Sequence, residues 1–212
     1  MFLFSRRTQL VTAKTRDAVA WAVEMTDRVN RTIELPMSLY QQVYSSNVGT
    51  VSWSTFAPDL AALEAANDKL MADEGYLNAL EASAGLTNGI AHDTLGEVIY
   101  GTPDPERGVE YASVVRSVCG PGGLTRGIAV GIEIAQRAEQ ITGTPTLFVI
   151  DTTGAYGGVG WVTGHHDARA LQAANEALNA DASWLQFLDE STPDAFSDNP
   201  FSTEQTLFRR MM

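Results

Sequence analysis

One cysteine, Cys119, stands in a chain of 212 residues, so no internal disulfide can form, and without a CxxC pair no oxidised secretory scaffold is implied. Basic residues are scarce as well. Fourteen Lys and Arg against 26 Asp and Glu leave a formal charge of −12, which repels phosphate backbones and anionic lipid and argues against nucleic-acid or membrane-surface binding. No apolar run approaches the roughly 20 residues that cross a bilayer. The apolar stretch of Met1-Phe2-Leu3-Phe4 precedes the basic pair Arg6-Arg7 and is too short for a signal-peptide core. The expectation is a soluble chain of the cytoplasm, or a part of a soluble particle assembled there.

What is present suffices for a packed core: 44% of residues are hydrophobic and 19% charged, near the averages of globular chains. Registering the chain on itself reveals a duplication. At an offset of 109, Arg7, Ala20, Glu24, Arg28 and Pro36 meet Arg116, Ala129, Glu133, Arg137 and Pro145. At 108, Gly49, Val51, Trp53 and Thr55 meet Gly157, Val159, Trp161 and Thr163, and Asp59, Leu63, Asn67 and Asp73 meet Asp167, Leu171, Asn175 and Asp181. The one-residue slip falls between two strands, where a hairpin loop absorbs it.

Periodicity gives the same order of elements in both copies. Val19, Ala22, Val23, Thr26, Val29 and Ile33 recur at helical spacing, echoed by Ile128, Ile132, Ala135 and Ala138, and Pro36 and Pro145 end these helices. Leu39–Tyr44 and Leu147–Ile150 read as hairpin strands, followed by alternating strands around Trp53 and Trp161. Asp59 and Asp167 stand as N-caps of the second helices, each followed by a short extra helical turn. Final strands are expected at Glu97–Tyr100 and Thr206–Arg209, with a linker near Gly101–Glu106. The predicted class is α+β, two tandem ferredoxin-like βαββαβ repeats spanning 1–104 and 105–212.

This order, with Gly49-Thr50-Val51-Ser52-Trp53-Ser54 leading into Asp59-Leu60-Ala61-Ala62-Leu63-Glu64, resembles the dimeric α/β-barrel superfamily, which includes NIPSNAP-like proteins and antibiotic-biosynthesis-type monooxygenases. The resemblance implies antiparallel sheets packed as an α/β barrel. Among its enzymes it implies polar side chains lining a substrate site, and no catalytic motif or cofactor comes with it.

Candidate chemistry is thin. His165 and His166 precede Asp167 and suggest a metal or a general base. Their first-repeat counterparts are Ala57 and Pro58, adjacent residues rarely face one ligand, and the pair reads as a solvated helix cap; His92 falls in a loop. No metal site is expected. Asn67 and Asn175 lie on the side of the second helix that carries Leu63 and Leu70, where asparagine needs a partner if buried. Their presence in both copies favours a structural role over a pocket. Trp53, Trp161 and Trp21 read as core, Arg7 and Arg116 as strand-end ion pairs or carboxylate clamps, and Cys119 as part of a glycine-rich turn. If a ligand is bound, Trp53, Asn67, Trp161, His165 and Asn175 are the expected lining.

With no convergent acid, base, nucleophile or metal set legible, the leading expectation is a non-catalytic assembly protein. It would be a duplicated brick docking on a multi-subunit particle such as a virion or shell, with a protein partner or self-association. The alternatives are a cofactor-independent monooxygenase or isomerase, and a sensor of a small apolar ligand. A large cavity with convergent polar groups would favour the alternatives, and a filled interior the brick.

Overall fold

The structure, a computed structural model, describes residues 1–45, 47–199 and 201–212. Two compact units make up the chain: Met1–Leu95 with Arg209–Met212, and Gly96–Phe208. The first contains β1 (Phe2–Gln9), α1 (Thr15–Thr32), β2 (Ser38–Val43), β3 (Thr50–Ala57), α2 (Leu60–Met71) and α3 (Glu74–Glu81). Strand β4 (His92–Tyr100) carries the chain into the second, which holds β5 (Tyr111–Val118), α4 (Leu124–Thr142), β6 (Thr146–Asp151), β7 (Gly158–His165), α5 (Ala168–Ala180), α6 (Ala182–Ser191) and most of β8 (Glu204–Arg210).

Along the chain the elements therefore run twice through the expected α+β order, with one enlargement. The extra helical turn is a helix in each copy, α3 and α6, because the matched residues Asp73 and Asp181 cap them, accepting from the backbone N–H of Tyr76 at 2.8 Å and of Trp184 at 2.9 Å. Asp59 and Asp167 cap α2 and α5 as anticipated, each at 2.8 Å from the N–H three residues on. The final strands start earlier than their branched residues suggest. In β4 the added residues are held by side chains: Asp93 takes a bidentate bond from Arg6 at 2.8 Å, and Thr94 reaches Ser5 O at 3.4 Å.

Pairing is antiparallel throughout both units. In the first, β3 lies between β1 and β2, with Arg6 and Leu39 opposite Trp53. In the second, β7 lies between β5 and β6, with Val115 and Phe148 opposite Trp161, and the end of β4 pairs with β6. The tryptophan is thus the centre of the helix-facing side in each sheet. Small residues let the first helix of each repeat approach it: Ala18 and Ala22 on α1, both fully buried, and Gly127, Gly131 and Ala135 on α4. A Cβ at Gly131 would overlap the ring of Phe148. Both indoles donate back to that helix, Trp53 Nε1 to Thr26 Oγ1 and Trp161 Nε1 to Gly131 O, each at 2.8 Å, so neither buried N–H is left unsatisfied.

A candidate small-molecule cavity in the second repeat

The strand period of two decides what β7 shows to the helices. Gly158, Gly160 and Gly164 share one face, and Val159, Trp161, Thr163 and His165 the other. On β5 the residues in phase with these are Ser113, Val115 and Ser117. Opposite them α4 presents Ile134, Ala138 and Thr142, one residue per turn along a single stripe. Between this sheet face and α4, α5 and α6 lies a cavity of about 660 Å³, closed further by Trp184, Leu188 and Phe196.

The walls are predominantly apolar. Trp161 stacks tilted on Phe148 at 5.4 Å between ring centres and meets Phe196 edge-on at 5.5 Å. Polar groups come from the strands and mostly bond one another: Thr146 with Thr163 at 2.9 Å, Ser117 with Thr203 at 2.8 Å, and Gln205 Nε2 with Ser113 Oγ at 3.3 Å. His165 differs. It is 4% exposed, and its Nδ1 is buried with no hydrogen-bond partner among the described residues. Burial pushes the imidazole below its ordinary pKa of 6.5, and the nearby Arg107 adds to the effect. At neutral pH the ring is uncharged and has a nitrogen lone pair to offer.

Comparison of the repeats shows why the cavity exists. At the offset of 109, Ser113, Ala138 and Thr142 correspond to Phe4, Val29 and Ile33, and Ile134 corresponds to Met25. In the first unit Met25, Val29 and Ile33 are buried, in one cluster with Ala66 and Tyr76. The second copy has smaller side chains at three of the four positions and a histidine where the first has Ala57. Position-by-position comparison of the two copies is the signal that could have located the cavity.

Of the five residues singled out in the sequence, Trp161, His165 and Asn175 line this cavity. Trp53 and Asn67 lie in the first unit: Trp53 is core, met edge-on by Trp21 at 5.8 Å, and Asn67 is exposed on α2. Both asparagines are solvent-facing, so the expected buried structural bond does not apply, and Asn175 stands at the cavity's exposed side. His165 is not a solvated cap. As the last residue of β7 it keeps the inward phase of Trp161 and Thr163, and only His166 faces solvent, 3.3 Å from Gly108 O.

Arg116 pairs with Asp151, the expected strand-end ion pair. Arg7 borders a smaller hollow of about 430 Å³ with Gln42 and His92. Cys119 is buried against Gly127, and burial raises its thiol pKa, which opposes reactivity. Among the described residues, no group of three His, Cys, Asp or Glu could hold a metal ion, and no helix is long and apolar enough to cross a membrane.

No family model and no curated protein matches the sequence. Solved structures match the fold from end to end. A candidate monooxygenase from Fusobacterium nucleatum subsp. nucleatum superposes with a TM-score of 0.73 at 8% identity, covering 100% of this chain and 92% of that one. An anthrone oxidase-like protein gives 0.70 at 11% identity, with 100% and 91% covered. A candidate monooxygenase from Lactobacillus acidophilus gives 0.64 at 7%, with 99% and 93% covered. The chain thus has the fold of the dimeric α/β-barrel superfamily, as two ferredoxin-like repeats in tandem.

The leading expectation from sequence, a non-catalytic assembly brick, is corrected by these findings. It required a filled interior and no convergent polar group. The second repeat instead holds a cavity with a buried neutral histidine on its wall, and chains sharing the whole fold include monooxygenase-type and anthrone oxidase-like proteins.

Proposed function

We propose that the second repeat is the site of a cofactor-independent monooxygenase or isomerase acting on an apolar carbon acid, with His165 as general base. The observation that carries this reading is the buried imidazole of His165, uncharged and without a partner at Nδ1 among the described residues, on the wall of an apolar cavity. A base of this kind takes a proton from an activated C–H, and neighbouring hydroxyls such as Thr163 donate to the oxygen on which the resulting enolate charge rests. Returning the proton to another carbon is isomerisation. With dioxygen as co-reactant, the carbanion gives its electrons to O2, a C–O bond forms, and the hydroperoxide takes up a proton and loses water. A CH2 and O2 then become C=O and H2O.

Anthrone, whose CH2 is activated by its carbonyl, is a suitable first probe because a full-length fold neighbour is anthrone oxidase-like. Deuterium exchange at that CH2 and oxygen uptake are measured with wild-type protein and with His165→Gln. Exchange that depends on His165 supports the base, and oxygen uptake selects oxygenation over isomerisation. Neither signal with anthrone or with a panel of related carbon acids would sink the catalytic reading and leave a binding protein.

A further inference from the structure

We infer that the cavity of the second repeat selects an uncharged amphiphile, a lipophilic body with one oxygen function, and seats it with the oxygen toward His165 and the body against Trp161 and Phe196. This rests on the reading of that cavity as the ligand site and adds to it which ligands enter and which way round.

The cavity wall disfavours charge. No lysine or arginine is among the lining residues, and the one carboxylate, Asp198, is exposed at the edge. Arg107 acts on His165 from outside the lining and is not on the cavity wall, so a buried carboxylate or ammonium of a ligand would have no direct counter-ion, and a buried ion without one is far costlier than a neutral polar group. The order of groups along the sheet sets which way round a ligand lies. The pairing of β5 with β7 sets Tyr111 opposite His165, Ser113 opposite Thr163 and Val115 opposite Trp161. Successive rows on one face are roughly 6 to 7 Å apart, so one end of this face is His165 with the Thr146–Thr163 hydroxyl pair beside it, and the next row is aromatic and aliphatic. Beyond that, Ser117 and Thr203 satisfy each other at 2.8 Å. His165 alone among these groups has a buried atom lacking a partner, so a ligand hydroxyl gains most by lying there.

The test is a set of four probes sharing one body: pyrene, hydroxypyrene, pyrene carboxylate and pyrenemethylammonium, bound to the full chain near neutral pH and followed by probe fluorescence. Hydroxypyrene should bind about fivefold to tenfold tighter than pyrene, the worth of one hydrogen bond to an otherwise unsatisfied group. Both charged probes should bind at least about tenfold more weakly than hydroxypyrene. His165→Leu should bring hydroxypyrene down to the level of pyrene while pyrene binding is retained, which separates a lost contact from a lost fold.

A charged probe that binds as tightly as hydroxypyrene overturns the inference, as does equal binding of pyrene and hydroxypyrene to wild-type protein. The expected order without any deuterium exchange sinks the catalytic reading alone. Failure of all four probes to bind overturns both.

Discussion

At the scale of single residues, His165 and Gly131 are where the second repeat's geometry is most exposed to test. Folding keeps the His165 imidazole below its ordinary pKa of 6.5, so between the folded value and 6.5 the unfolded chain binds a proton that the native chain does not. Stability contributed by the neutral ring is therefore complete above about pH 6.5 and falls as pH drops below it. Thermal midpoints should decline from about pH 7.5 to about pH 5.5 in the wild type, and the decline should be shallower in His165→Leu. An identical pH dependence in the two proteins would show that His165 does not titrate in this way. Gly131→Ala drives a Cβ into the Phe148 ring under the indole that bonds Gly131 O. Denaturant unfolding should show a loss of about 1 to 3 kcal/mol, typical of overpacking. Gly160→Ala is the control, since its Cβ would meet nothing nearer than 3.4 Å, and should be close to neutral.

At the scale of elements, the cavity is a property of the α4 stripe. Ala138→Val restores the residue that α1 carries at Val29. Filling space commonly stabilises by about 0.5 to 2 kcal/mol, and valine loses roughly 0.5 kcal/mol of helix propensity against alanine, so stability should hold or rise by up to about 1 kcal/mol. Adding Thr142→Ile returns part of that gain, because Thr142 Oγ1 accepts from the Thr144 N–H at 3.1 Å. Binding of hydroxypyrene should fall with the first substitution and be lost with the second, measured beside denaturant unfolding. Undiminished binding in the double variant would place the ligand elsewhere. Elements were largely legible in the sequence, because caps such as Asp59, helix-ending prolines and the alternation around Trp53 act locally. The cavity was not. It is made of volume that Ser113, Ala138 and Thr142 leave unfilled, and a missing side chain has no motif. His165 was hidden by its neighbours, since beside His166 and Asp167 it resembles a cap until the phase of β7 is continued to the strand's last residue.

At the scale of the molecule, duplication has produced one copy that packs Met25, Val29 and Ile33 where the other has the cavity of about 660 Å³, and the tryptophans divide evenly between them. Trp21 and Trp53 belong to the first unit, where Trp53 is held by Thr26 and Trp21 donates to Ala79 O at 2.9 Å. Trp161 and Trp184 belong to the second and both line the cavity. A chain labelled with fluorotryptophan therefore has four reporters, two per copy. If the second copy alone takes the ligand, saturating hydroxypyrene should shift the fluorine resonances of Trp161 and Trp184, which line the cavity, and leave those of Trp21 and Trp53 in place. Trp→Phe variants assign the signals, and Trp21→Phe is the mildest of them because its ring is only partly buried. Comparable shifts at all four positions would mean that ligand enters both copies. The side chains of Met25, Val29 and Ile33 would then have to move aside, and the division of labour between the two repeats would fail with them.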